Sequence, residues 1–129
     1  MEYLADTVTI IRYFAKTGKI GKRAKAILND AEKGKHRIFI SVLSLVEIMY
    51  LSQKMRISIN LAETLTIINN SENYMIVDLN SHIVLFAESI RFPELFDRLI
   101  LATGEYLGVP VITPDEEIHE LESVEAIWQ

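Results

Sequence analysis

Residues 95–115, LFDRLILATGEYLGVPVITPD, read as helix, turn, strand and loop, and the fold follows from this unit. Leu99, Ile100, Leu101, Tyr106 and Leu107 form a helical apolar stripe diluted by Gly104, and Gly108 with Pro110 beyond it supplies a common helix stop. Residues 109–112 are then a short apolar strand. Rich in β-branched side chains and without in–out alternation, it suits a parallel sheet covered on both faces. Asp97 falls in the first helical turn, and Asp115 lies just past the C-terminal end of the strand, the edge at which open α/β sheets build their sites. Each acid also has a plain explanation, since Asp favours helix N-termini and commonly caps them.

Upstream, residues 2–6 read as a first strand, 7–15 as a helix entered at Asp6 and left near Gly18, 20–31 as a basic helix, and 37–40 as a second strand. Ser41 or Ser44 is placed to cap a helix through VLSLVEIMYLSQKM, which is apolar on nearly every side apart from Glu47. Such a helix is expected to be largely buried. A carboxylate among Leu43, Val46, Ile48 and Leu51 then costs on the order of several kcal/mol unless it is paired, protonated or metal-bound. Residues 60–70 give a fourth helix, 74–79 a third strand, and 82–90 a further helix. A short acidic helix follows Asp115, and residues 124–128 suit an edge strand. The order β-α-α-β-α-α-β-α-α-β-α-β, with short connections and no internal repeat, predicts an α/β sandwich with a mainly parallel central sheet.

The 129 residues suit a single domain spanning 1–129. Half are hydrophobic and about a quarter charged, a globular composition, and no apolar run approaches the length of a membrane span. MEYLADTVTI lacks the basic segment of a signal peptide, and the chain has no cysteine for disulfide or thiolate chemistry, so a cytoplasmic protein is expected. The net charge of −5 conceals a segregation. Residues 12–37 hold nine Lys and Arg against Asp30 and Glu32, a net of +7, which leaves −12 on the remainder. Lys16, Lys19, Lys22, Arg23 and Lys25 are candidates to meet phosphates, although a solvated helix face accounts for such a run equally well.

Several chemistries lack their residues. Gly18-Lys19-Ile20-Gly21 has neither the length nor the ending of a phosphate loop, and no GxGxxG follows the first strand. There is no Gly-x-Ser-x-Gly elbow, and His36, His82 and His119 show no metal-ligand spacing. Four acids stand where polarity is unexpected or a site is expected: Asp6 ending the first strand, Glu47 in the apolar helix, Asp97 and Asp115. If the first strand is central, both strand-end acids share one sheet edge, and two helices can present Glu47 and Asp97 to the same crevice. Four carboxylates in one place repel unless cations neutralise them, and oxygen-only ligands select Mg²⁺ or Mn²⁺.

The segments carrying these acids resemble the PIN domain, an RNase H-like nuclease family that includes the VapC toxins of VapBC-type toxin–antitoxin pairs. Residues 3–7 (YLADT) match its first-strand motif, 41–47 (SVLSLVE) its Ser-to-Glu helix, 96–103 (FDRLILAT) its FDR segment, and 107–115 (LGVPVITPD) its strand-to-Asp segment. The resemblance covers the full length and implies an α/β/α sandwich in which Asp6, Glu47, Asp97 and Asp115 are catalytic and bind one or two Mg²⁺ or Mn²⁺ ions. Thr7 and Thr113 are the hydroxyls it implies for supporting the acids or positioning water. An RNA substrate, a cognate antitoxin protein and a homodimer are implied as well. Val8 stands where many relatives have Asn, and Pro93-Glu94-Leu95 replaces the common Asp-Pro before the FDR segment. Arg98 is expected to pair with a neighbouring acid. The alternatives are a PIN nuclease of RNA processing or quality control and a PIN-like interaction module without catalysis. A phospho-receiver domain is disfavoured, because Asp6 has no adjacent acid and no Lys follows the late strands.

Overall fold

In a computed structural model that describes residues 1–129, strands and helices follow in the expected order. They are β1 (Glu2–Ala5), α1 (Thr7–Ala15), α2 (Lys22–Glu32), β2 (Arg37–Ser41), α3 (Val42–Gln53), α4 (Leu61–Asn70), β3 (Tyr74–Val77), α5 (Ser81–Ser89), α6 (Leu95–Leu107), β4 (Val111–Ile112), α7 (Glu116–His119) and β5 (Ala126–Ile127). The five strands are all parallel, in the order β3-β2-β1-β4-β5, so β1 is central as expected.

Each strand divides its side chains between two cores, because successive residues point to opposite faces. Tyr3, Ala5, Ile38, Ile40 and Ile112 join Ile10, Leu28, Ile48 and Ile68 from the helices α1 to α4. Leu4, Phe39 and Val111 join Ile83, Ile100, Leu101 and Ile118 from α5, α6 and α7. Helices thus cover both faces, which is why the strands are apolar throughout and why the sequence shows no alternation. Closure of α6 is local: Gly108 adopts the left-handed conformation at φ 68°, and Val109 N donates back to the Gly104 carbonyl at 3.0 Å. With its N–H committed to the helix, Val109 cannot start the strand, and β4 begins at Val111 rather than at residue 109.

Two expectations about α3 meet different outcomes. Ser41 is the cap, its Oγ accepting from Leu43 N at 3.1 Å. The helix is not largely buried, however, since Leu45 and Ile48 face the core while Val46, Met49 and Tyr50 are exposed. The neighbours α1, α4, α6 and β2 leave the side carrying Val46, Met49 and Tyr50 uncovered, so apolar character there produced no burial. No helix is long and apolar enough to cross a membrane.

Candidate active site

Strand connections diverge between β1 and β4, with Leu4 beside Val111 and Ala5 beside Ile112. Asp6 follows β1 at this point, and its N–H donates to the Ile112 carbonyl at 3.1 Å. Its side chain caps α1, with Oδ1 accepting from Thr9 N at 2.9 Å and from Thr9 Oγ1 at 2.7 Å. Asp6 as a residue is 5% exposed. Asp115 lies beyond β4 at the same edge and caps α7, Oδ1 accepting from Glu117 N at 2.9 Å and Ile118 N at 3.4 Å. Capping therefore does occupy Asp6 and Asp115, but Oδ1 takes these bonds in both residues and Oδ2 remains outside the cap.

Asp97 is different. The cap of α6 is Glu94, whose Oε2 accepts from Asp97 N at 2.7 Å, so the Asp97 side chain is not needed by its own helix. Glu47 projects from α3 and is half-buried; Thr7 Oγ1 donates to its Oε1 at 2.6 Å and lies 2.9 Å from Ser44 Oγ. Thr113 is fully buried, and its Oγ1 accepts from Asp115 N at 3.1 Å. Arg98 departs from expectation: it forms no ion pair with an acid and donates from Nη2 to the Ala87 carbonyl at 2.9 Å, joining α6 to α5.

The charges of these groups act on one another. Burial, then the charges of Glu94, Glu47, Asp6 and Asp115 in that order, push the Asp97 carboxyl up to about 7. Burial also raises Glu47, against the Thr7 hydrogen bond and with help from Glu94 and Asp6. Asp6 is raised by burial, opposed by Thr113 and Thr9, with the Asp115 charge adding to the rise. Four acids from segments far apart in sequence thus share one electrostatic neighbourhood with a fifth, Glu94. Sequence reading missed Glu94, although its position three residues before Asp97 at a helix start was the available signal.

No group of three or more of these side chains is drawn tightly enough to hold an ion by itself. The donor set is nevertheless oxygen-only, crowded with charge and supplied with carboxylate oxygens outside the caps, which fits a hard divalent cation. The basic candidates do not form one stripe. Lys16, Lys19 and Lys25 line a cavity of about 770 Å³ with Arg12, Tyr13, Phe14 and Ile67, whereas Arg23 lines a separate one beside β4 and β5.

Carboxylates beside the topological switch point of a parallel α/β sandwich stand where open α/β sheets bind their ligands. The PIN domain family model matches residues 3–124, and the chain belongs to that family, whose members are nucleases. No curated protein matches the sequence. Among solved structures, the chain is similar to VapBC2 from Rickettsia felis bound to a promoter DNA fragment, at 17% identity and a TM-score of 0.76, covering 100% of both chains. It is similar to a toxin–antitoxin complex from Klebsiella pneumoniae at 21% identity and TM-score 0.70, covering 97% of this chain and 95% of that one. DNA-bound VapBC from Salmonella typhimurium aligns at 18% identity and TM-score 0.71, covering 98% and 97%.

Proposed function

We propose that this protein is a Mg²⁺- or Mn²⁺-dependent endoribonuclease, the toxin of a type II toxin–antitoxin pair, acting as a single catalytic domain over residues 1–129 in the cytoplasm. The observation that carries this reading is the mutual charge of Asp6, Glu47, Asp97 and Asp115, which makes a neutralising cation the natural complement of the crevice. In this reading those four acids hold the ion. Bound there, a divalent cation supplies Lewis-acid stabilisation of a phosphodiester and a more acidic water.

The chain's own residues prepare the site. Thr7 fixes the rotamer of Glu47, and Thr9 and Thr113 orient Asp6, so two acids are held before a ligand arrives. Glu94 takes the capping role on α6 and leaves the Asp97 carboxyl free. Near neutral pH that carboxyl is partly protonated, and holding a cation there would require it to give up the proton. The attacking nucleophile is water, consistent with a chain that has no cysteine.

RNA as substrate comes from the family resemblance, as do a cognate antitoxin and a homodimer. Lys16, Lys19, Lys22, Arg23 and Lys25 are the proposed backbone contacts, since an acid-rich crevice repels phosphate and approach requires cations elsewhere. Asp97→Asn and Asp6→Asn are expected to abolish Mg²⁺- or Mn²⁺-dependent RNA cleavage while circular dichroism remains unchanged. An asparagine variant that cleaves at the wild-type rate removes that acid from the mechanism. A wild-type protein that binds RNA but cleaves none with either ion is an interaction module instead.

A further inference from the structure

A second cavity of about 420 Å³, within the volume range of small-molecule sites, is reached by the two chain neighbours of Asp115 and lined by none of the four acids themselves. Pro114 and Glu116, the chain neighbours of Asp115, form one side of it, and Arg23, His119, Trp128 and Gln129 contribute the rest of its polar and aromatic lining. Its position is fixed by backbone bonds. Thr113 N donates to the Ile127 carbonyl at 3.1 Å, Ala24 N donates to the Trp128 carbonyl at 3.0 Å, and His119 Nε2 lies 2.8 Å from the Thr113 carbonyl. The cavity therefore moves with β4, β5 and the start of α2 as one unit.

Its chemistry is mixed in a particular way. Arg23 is exposed and forms no ion pair, since the pairs of this chain are His36 with Asp30 and Arg37 with Glu2. Trp128 is half-buried, and the Arg12 guanidinium stands 5.7 Å from its ring centroid. Glu116 opposes a bare anion, yet its carboxylate accepts from amino or imino hydrogens of a base edge, as the Gln129 amide can. A ligand that combines a phosphate for Arg23, a flat face for the indole and N–H donors for Glu116 is a nucleotide. We propose that this cavity is a nucleotide subsite, which stacks one RNA base on Trp128 and holds its phosphate on Arg23 beside Asp115. The inference rests on the ribonuclease reading and adds to it the place where a base is engaged. Arg12, which stands over the Trp128 ring, lines the larger lysine-rich cavity, so the two cavities are separate but adjoin across its side chain.

Trp128 is the only tryptophan in the chain, so its fluorescence reports on this cavity without any substitution at the indole. The Asp97→Asn protein in Mg²⁺ is titrated with a short labelled single-stranded oligoribonucleotide, following tryptophan emission and the anisotropy of the label in the same samples. The expected result is a saturating change in emission with the same midpoint as the anisotropy, and an abasic oligomer that binds about tenfold more weakly with little emission change. Arg23→Gln should lower the slope of log K against log salt by about 0.7. Anisotropy that reports RNA binding while Trp128 emission stays unchanged and Arg23→Gln binds as the parent does overturns the subsite alone. Absence of RNA binding by anisotropy overturns the ribonuclease reading and the subsite with it.

Discussion

An Asp in the first turn of a helix usually serves that helix, but in α6 Glu94 accepts from the Asp97 N–H and the Asp97 carboxyl is left among other acids. Its folded-state pKa of about 7 stands above the ordinary 3.8. Folding therefore favours the protonated form. The stabilisation is fully present below the unfolded value and is lost as pH rises through about 7. Metal-free protein is expected to melt at a rising temperature as pH falls from 8 to about 5, with Glu47 and Asp6 adding in the same direction because both are raised. Asp97→Asn should stabilise the metal-free protein at pH 8 by roughly 1–2 kcal/mol, allowing for solvent screening at a half-buried site, and should flatten the pH dependence. A variant melting curve that keeps the wild-type pH slope refutes the assignment. Millimolar Mg²⁺ or Mn²⁺ is expected to raise the wild-type midpoint above that in a chelator, the stabilisation being about 2.7 kcal/mol at a hundredfold excess over Kd, with less effect at pH 5, where protons compete. Calorimetry across both conditions measures the two effects together.

The contacts between elements explain both what the sequence revealed and what it hid. Gly108, Pro110 and the β-branched run after them mark the end of α6 and the presence of β4, though not its first residue, and a central β1 follows the common arrangement of parallel sheets. These features are legible because each depends on local backbone chemistry. The open face of α3 was not, since Val46, Met49 and Tyr50 have the same apolar character as the buried Leu45 and Ile48, and only the presence of a neighbour separates them. Glu94 was missed because a glutamate at a helix start reads as solvated charge until its cap bond to Asp97 is seen. The Thr7 to Glu47 bond joins α1 to α3 across 40 residues, a pairing without a local signature. Thr7→Val should lower RNA cleavage or metal affinity about 10- to 100-fold, as loss of a group that orients a ligand commonly does. Wild-type kinetics and metal titration in that variant remove Thr7 from the site. Gly21 carries a second inter-element constraint, because a Cβ there collides with the Trp128 carbonyl oxygen. Backbone must shift to relieve that contact, so Gly21→Ala is expected to destabilise by about 1–3 kcal/mol and to shift Trp128 emission. Unchanged melting and emission contradict the close approach.

Across the molecule, charge is divided so that residues 12–37 carry +7 and the remainder −12. Folding separates the positive part further, because Lys16, Lys19 and Lys25 gather with Arg12 around the groove of α1, α2 and Ile67, while the carboxylates gather at the β1–β4 switch point. Under the ribonuclease proposal, a polyanion would be held on the basic surface while its phosphate is cleaved at the acids. The same groove also contains Tyr13, Phe14 and Ile67, an apolar lining that equally suits an acidic protein segment with hydrophobic side chains. The two occupants differ in their dependence on salt and on sequence. If the groove tracks RNA, changing Lys16, Lys19 and Lys25 together to Gln removes three phosphate contacts and lowers the slope of log K against log salt by about 2 for single-stranded RNA. Affinity should then fall by similar factors for unrelated sequences, because phosphate contacts carry no base information. Turnover at saturating RNA should persist, since none of the three lysines belongs to the proposed acid site. Binding of RNA oligomers of two unrelated sequences at several salt concentrations, measured beside affinity for the antitoxin, separates the cases. An unchanged RNA slope with weakened antitoxin binding assigns the groove to the protein partner and refutes the RNA track.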